Sequence, residues 1–340
     1  MDNQWRAWQP PVIQSATLKS CPEDFQVTEH LPFELTGEGE HLFLFVEKTN
    51  ANTQWVVKQI AQWAGVRERD VGHAGLKDRF AVTRQWLSVY RPGQGLPETL
   101  PEGDDFRVLK SALHNKKLRV GSVRSNQFCI RLRDVVGERS LVEQRLERLS
   151  KEGFPNYFGS QRFGHGGSNV AKARAMLLQR RRVKKSQQSI LLSAVRSWFF
   201  NQYLALRLTQ QSWLTPVAGD RINLAGTRSF FVLDTDDDTI TQRLIDGDVH
   251  IAGPLPGKDF TNLQPAYAEF DRQIWQAQQD CLEAINVITD FRPLRAMPQA
   301  LEYHWVDEET LEISFALSSG SYATSLLQEL GNINEPERDR

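Results

Sequence analysis

Apolar and polar positions alternate with period two along FQVTEHLPFELTGEGEHLFLFVEKT (25–49), which predicts two strands around a turn at Gly37-Glu38-Gly39. The period then changes. In TQWVVKQIAQWAG (53–65), Val56, Ile60 and Trp63 fall on one helical face; Asn52 or Thr53 can cap its start and Gly65 can end it. VGHAG (71–75) reads as a strand end or turn, and AVTRQWLSVY (81–90) as a strand. Asp78, flanked by Lys77 and Arg79, therefore falls on a connection between β-like segments, where side chains can point into a cleft.

Further on, RPGQGLPETLPEGDD (91–105) is a Pro/Gly-rich loop. LRVGSVRSNQFCIRLRD (118–134) alternates like a strand pair, and SLVEQRLERLSKEG (140–153) reads as a helix. SQQSILLSAVRSWFFNQYLALRL (186–208) predicts a long helix buried through Ile190, Leu191, Ala194 and Trp198, and residues 270–288 predict another. LEISFALSSGSYATSLLQEL (311–330) reads as a strand, a Ser/Gly turn and a short helix. There is no internal repeat. The mixture is α/β or α+β, with sheet-rich ends and a helix-rich middle.

Composition changes this picture at one point. The 340 residues carry a formal net charge of −1, but the acids are unevenly placed. Residues 106–133 hold eight Lys/Arg and no acid, and residues 153–219 hold ten, again with no acid. Two such stretches in a neutral protein fit a local polyanion-binding face as well as they fit a solvated basic surface. No apolar run is long enough to span a membrane, and MDNQWRAWQPP lacks a leader pattern. The three cysteines, Cys21, Cys129 and Cys281, are far apart without a CxxC, so the expectation is reduced thiols in a cytoplasmic protein. The seven histidines include no pair at metal-ligand spacing, and GHGGSN (164–169) reads as an ordinary turn, so neither metal nor cofactor is expected.

Four blocks, in order, carry a family resemblance: CPEDFQVTE (21–29) with GEGEHL (37–42), AGLKDRFAVTRQW (74–86), PNYFGSQRFGHGGSN (155–169) and SSGSYATSLLQEL (318–330). RVGSVRSNQFCIRLR (119–133) lies between the second and third. In these blocks the chain resembles the TruD family of tRNA pseudouridine synthases nearly end to end. The resemblance implies a pseudouridine-synthase-like catalytic domain with a central, mostly antiparallel sheet, built from residues 1–151 and 297–340. It implies an α/β TRUD domain inserted at 152–296. It further implies a cytoplasmic, monomeric enzyme that acts on tRNA at uridine 13 without a cofactor.

Site residues carry over position by position. Asp78 matches the family's essential carboxylate, the nucleophile. Breaking a glycosidic bond develops positive charge on the sugar, and an ionised Asp can stabilise that charge, attack C1′ or remove a sugar proton. Phe25 of PEDF, Asn126 and Phe128 of SNQF, and Tyr322 of GSYAT match substrate-contact positions. Aromatic faces can stack on an extruded uridine and an amide can read its edge, although Phe25 and Phe128 also suit a strand core. Many relatives place Phe where this chain has Tyr322, a change that keeps the ring and adds a hydroxyl. Lys19 matches a basic position of the family site. Lys77 and Arg79 are near enough in sequence to keep Asp78 charged or to hold phosphate. Arg162 and the RRRVKK run at 180–185 suit the RNA backbone. Two other readings stand beside this one: a tRNA-binding chaperone, which would not need the carboxylate, and a glycosidase pairing Asp78 with Glu23 or Asp24.

Overall fold

The computed structural model describes residues 5–179, 182–234, 237–260 and 284–338. The chain folds as two compact units. One comprises Pro11–Leu146, Pro298–Gly320 and Leu330–Arg340; the other comprises Met1–Pro10, Glu147–Met297 and Ser321–Glu329.

The first unit is built on an eleven-stranded sheet. Its main path runs Gln299–Trp305, Leu311–Ser318, Ser125–Gly137, Phe25–His30, Val82–Tyr90, His41–Thr49, Phe106–His114 and Glu102–Gly103. Ile13–Leu18 joins Ser125–Gly137, and Val71–His73 joins Val82–Tyr90. The sheet is mixed but mostly antiparallel. Phe25–His30 runs parallel to Val82–Tyr90, and Ile13–Leu18 runs parallel to Gly331–Asn334. The two strands expected within 25–49 are present but do not pair, because Val82–Tyr90 lies between them. The strand HLFLFVEKT is nearly continuous in apolar residues because it is covered on both faces. Leu42, Leu44 and Val46 pack against the helix Thr53–Ala64 through Val56, Val57 and Ile60. Phe43 packs on the other face with Ala74 and Leu118. Gly65 ends that helix in the left-handed region at φ 66°, its N–H returned to the last turn. Asn52 precedes it without a side-chain cap.

The expected strand pair in 118–134 is one strand, Ser125–Gly137. The residues before it form a loop, in which Gly121 at φ 88° donates its N–H to the Ala74 carbonyl. The strand Phe106–His114, whose polar and apolar residues are irregularly mixed, was not legible as one.

The second unit holds an antiparallel four-stranded sheet ordered Phe230–Val232, Arg221–Leu224, Val249–Leu255 and Asp290–Pro293. A separate pair joins Phe154–Pro155 to Arg295–Ala296. Lys185–Thr209 is the long helix expected, but its buried stripe is Leu191, Ala194, Val195, Phe199 and Tyr203. Ile190, one residue or about 100° off that stripe, is exposed. The helix expected at 270–288 lies mostly outside the described residues, and residues 284–288 are not helical. GHGGSN is a turn whose glycines at 164, 166 and 167 all have positive φ, leading into the helix Ser168–Leu178. Among the described residues no helix is long and apolar enough to cross a membrane.

A buried ion pair stabilises this unit. Arg207 meets Asp220 at 2.8 Å, and its other donors reach the Tyr203 hydroxyl and the carbonyls of Ser212 and Thr215. Asp220→Ala would leave a guanidinium buried without its counter-charge, so a loss of roughly 3–5 kcal/mol is expected in a urea melt. A loss under 1 kcal/mol would contradict that account.

Candidate functional site

The loop AGLKDRF (74–80) joins two antiparallel neighbours, Val71–His73 and Val82–Tyr90. Backbone and side-chain groups tie it to other elements along its length. The Ala74 carbonyl accepts from Gly121 N–H (2.7 Å), and the Gly75 carbonyl accepts from Gln85 Nε2 (3.2 Å). Thr53, the first residue of its helix, accepts from Lys77 N–H (3.1 Å) and donates to Gln85 Oε1 (3.0 Å). Lys77 Nζ reaches the buried carboxylate of Glu29 at 2.6 Å, and Glu29 also accepts from Trp86 N–H. Lys48 Nζ donates to the Asp78 carbonyl at 2.7 Å.

Strand register explains why these residues meet. In the ladders Glu29 stands opposite Asn126, Val27 opposite Phe128 and Thr83, and Thr83 opposite Lys48. Cross-strand partners share a face. One face of the sheet thus presents Phe25, Glu29, Asn126, Phe128, Thr83, Gln85 and Lys48, residues spread over a hundred positions of sequence.

The Asp78 side chain is 32% exposed, and Oδ2 lies 3.7 Å from Lys19 Nζ. Lys19 adopts φ 60°, an uncommon left-handed conformation for a side-chain-bearing residue. Its ammonium lies 4.5 Å above the Phe25 ring and 2.9 Å from Glu335. The C-terminal segment reaches the same place: Arg338 donates to the Lys19 carbonyl and stacks on Phe80. Burial pushes the Lys48 ammonium down to about 8, partly offset by Asp78 and reinforced by Lys77.

The other expected residues divide into two groups. Phe25 and Phe128 are buried edge to face at 6.1 Å, and Phe128 stacks on Phe315 at 5.4 Å. Asn126 Oδ1 is buried, and among the described residues it has no hydrogen-bond partner. Arg79 is exposed. Lys77 is directed to Glu29, whereas the cations beside Asp78 are Lys19 and Lys48. Tyr322 and Arg162 belong to the other unit. There Tyr322 starts the helix Ala323–Gln328, and its ring lies 6.2 Å from Phe158. Phe158 also carries Arg292 at 4.0 Å and Arg162 at 5.1 Å. Burial pushes the Arg292 guanidinium down to about 10, with Tyr322 opposing and Arg162 adding to the shift. Of the basic run, residues 180 and 181 are outside the described residues. Arg182 and Lys184 line a cavity of about 590 Å³ with Lys172, Asn169 and Gln187.

Glu29, Lys48, Gln85 and Arg292 were not singled out from sequence, and Thr53 was read only as a helix cap. The signal for Lys48 was faint: a cation near the end of a largely apolar strand, at a position whose alternation puts it on the buried face. The glycosidase reading loses one of its two candidate second carboxylates, leaving Glu23, which is exposed. Asp24 is buried in a bidentate pair with Arg133, at 2.7 Å for the shorter contact. Burial would raise its pKa, but Arg133 and the Cys21 N–H hold it below the usual range.

Comparison with known proteins adds sequence and fold relationships. The family model described as tRNA pseudouridine synthase D (TruD) matches residues 7–180 and 168–330. The chain is 41% identical to the tRNA pseudouridine synthase D of Xanthomonas euvesicatoria pv. vesicatoria, covering 96% of this chain and 94% of that protein. It is 38% identical to the protein of the same name from Hydrogenovibrio crunogenus, covering 93% and 92%. A Methanosarcina mazei crystal structure carrying the TruD name superposes with a TM-score of 0.70 over 96% of this chain and 95% of that one. At 18% identity, that match speaks for the fold alone.

Proposed function

The chain belongs to the tRNA pseudouridine synthase D (TruD) family, and on that premise we propose that it converts uridine 13, in the D-stem of tRNA, to pseudouridine. The N1–C1′ bond breaks, the uracil turns, and C5 bonds to C1′. The proton on C5 leaves and N1 gains one, so the reaction is an isomerisation that needs no external oxidant or reductant. We assign residues 1–151 and 297–340 to catalysis and 152–296 to an inserted TRUD domain. The enzyme acts as a cytoplasmic monomer, with tRNA as its partner and no cofactor.

Asp78 is the nucleophile in this reading. The observation that carries it is a partly exposed carboxylate on a loop held at Ala74, Gly75, Lys77 and Asp78, with the Lys19 ammonium 3.7 Å away. A carboxylate that must meet a flipped nucleotide needs both access and a fixed origin. Lys19 places a positive charge beside the carboxylate. Phe25 and Phe128 supply an apolar floor to the site; Tyr322 is assigned to substrate binding. Lys77 neutralises Glu29 beneath the loop, while Arg79, Arg162 and the basic run from 180 to 185 hold phosphates.

Asn126 reads the uracil edge. Leaving an amide oxygen buried and unpaired costs about 1–3 kcal/mol, and a uracil N–H would satisfy it. Asn126→Ala is therefore expected to lower kcat/KM by roughly 10- to 100-fold without lowering the melting temperature. Release of tritium from C5-labelled uridine in tRNA measures it, and an unchanged kcat/KM would remove Asn126 from the site.

The test of the function is to incubate an unmodified tRNA transcript with the purified protein and map pseudouridine by carbodiimide-dependent stops. A stop at uridine 13 is expected. Tight tRNA binding with no stop on any D-stem uridine would favour a chaperone instead.

A further inference from the structure

Lys48 is 1% exposed, yet no carboxylate lies within ion-pair distance of its ammonium among the described residues. Its hydrogen bond goes to a backbone carbonyl, that of Asp78, at 2.7 Å. Directly opposite in the ladder, Thr83 is fully buried and its hydroxyl has no hydrogen-bond partner among the described residues. Such a position is expensive. A buried ammonium outside ion-pair distance of a carboxylate costs several kcal/mol, and a methionine of similar length would fill the same space more cheaply. Stability alone gives no account of this lysine, but the atom it holds does.

We infer that Lys48 is a positioning residue for Asp78, its buried ammonium fixing the peptide that carries the carboxylate and so the direction in which that carboxylate points. This rests on the assignment of Asp78 made above. The other anchors secure the loop upstream: Gly121 holds Ala74, Gln85 holds Gly75, and Thr53 and Glu29 hold Lys77. Lys48 alone among these anchors takes the Asp78 carbonyl. A shift of that peptide leaves the loop attached yet turns the side chain away from C1′, and near-attack geometry tolerates little displacement. The ammonium also adds positive charge beneath a carboxylate that works against an anionic substrate.

Lys48→Met is therefore expected to fold, to bind tRNA within twofold of wild type, and to lose roughly 10- to 50-fold in kcat with KM little changed. Its melting temperature should stay level or rise, because a buried charge has been replaced by an apolar chain. The pH dependence supplies a second readout. The groups facing Lys48 are Asp78 and Lys77 on the loop, with Glu29 tied to Lys77 and Lys19 beside Asp78. The ammonium is present below a pKa of about 8 and is lost above it, so wild-type kcat should fall as pH rises through about 8. Lys48→Arg keeps its charge there, so it should retain part of the activity and move that alkaline limb upward.

The measurement is single-turnover and steady-state tritium release from C5-labelled tRNA, with Asp78→Asn run alongside. If Asp78→Asn is inactive while Lys48→Met keeps kcat within twofold and Lys48→Arg keeps the wild-type limb, the positioning role is wrong and Asp78 stands. If Asp78→Asn is itself active, the parent assignment fails first. Should Lys48→Met not fold, the position of the alkaline limb in Lys48→Arg decides: an upward shift supports the role and an unmoved limb overturns it.

Discussion

Asp78→Asn is expected to form no measurable pseudouridine, a rate loss on the order of 10⁴-fold or more, while folding and binding tRNA as wild type does. The amide keeps the size and shape of the carboxylate, so the loop anchors stay in place. Lys48 still has the Asp78 carbonyl to bond, and Lys77 still has Glu29. What vanishes is the charge. The Lys19 contact at 3.7 Å is partly exposed and shared with Glu335, so its loss should change stability by under about 1 kcal/mol. Removing a negative charge from a site that meets phosphates should, if anything, tighten tRNA binding. The result that matters is the separation of the two quantities in one variant: chemistry gone, binding kept. Carbodiimide mapping and a filter-binding titration read them independently. An active Asp78→Asn would remove the residue from the centre of the mechanism and leave the family's reaction to another group.

The reach of the sequence can be judged at this same loop. That Asp78 sits on a connection between strands was legible, because Ala74-Gly75 interrupts the pattern and VTRQWLSVY restarts it. Which cations stand beside it was not legible from local spacing; the family resemblance pointed to Lys19 but not to Lys48. Lys77 and Arg79 are its chain neighbours, yet one turns to Glu29 and the other to solvent. Lys19 and Lys48, 59 and 30 positions away, come near instead. Local spacing cannot foresee this, since it depends on Val82–Tyr90 entering the sheet between Phe25–His30 and His41–Thr49. A hairpin of the latter two would have placed Thr83 and Gln85 elsewhere. The same limit explains the single strand at 125–137. Its alternation is real, but that of 118–123 finds no ladder, because the loop there bonds to Ala74. Phe25 and Phe128 suited both a strand core and a base-facing surface. Their burial against each other and Phe315 makes them core first, so any contact with a base is made from within a packed wall.

The second large effect is expected at the pair beneath the loop. Glu29→Gln keeps an acceptor for Trp86 N–H but strips the buried Lys77 ammonium of its counter-charge, which lies 2.6 Å away in wild type. Breaking one side of a buried pair costs about 3–5 kcal/mol, mostly through the charge left behind. If that is the whole of the matter, adding Lys77→Met should restore both stability and activity, because an apolar pair of similar volume is tolerated. The loop geometry says otherwise for activity. Lys77 immediately precedes Asp78, and its side chain tethers the loop to the strand that also carries Phe25. The double variant should therefore recover most of the lost melting temperature while kcat stays roughly 10- to 100-fold down. A urea melt and a tritium-release assay on the two single variants and the double complete the cycle. Recovery of kcat in step with stability would show that the pair serves the fold alone, and that the carboxylate is aimed from the Asp78 peptide and Lys19 without help from its neighbour.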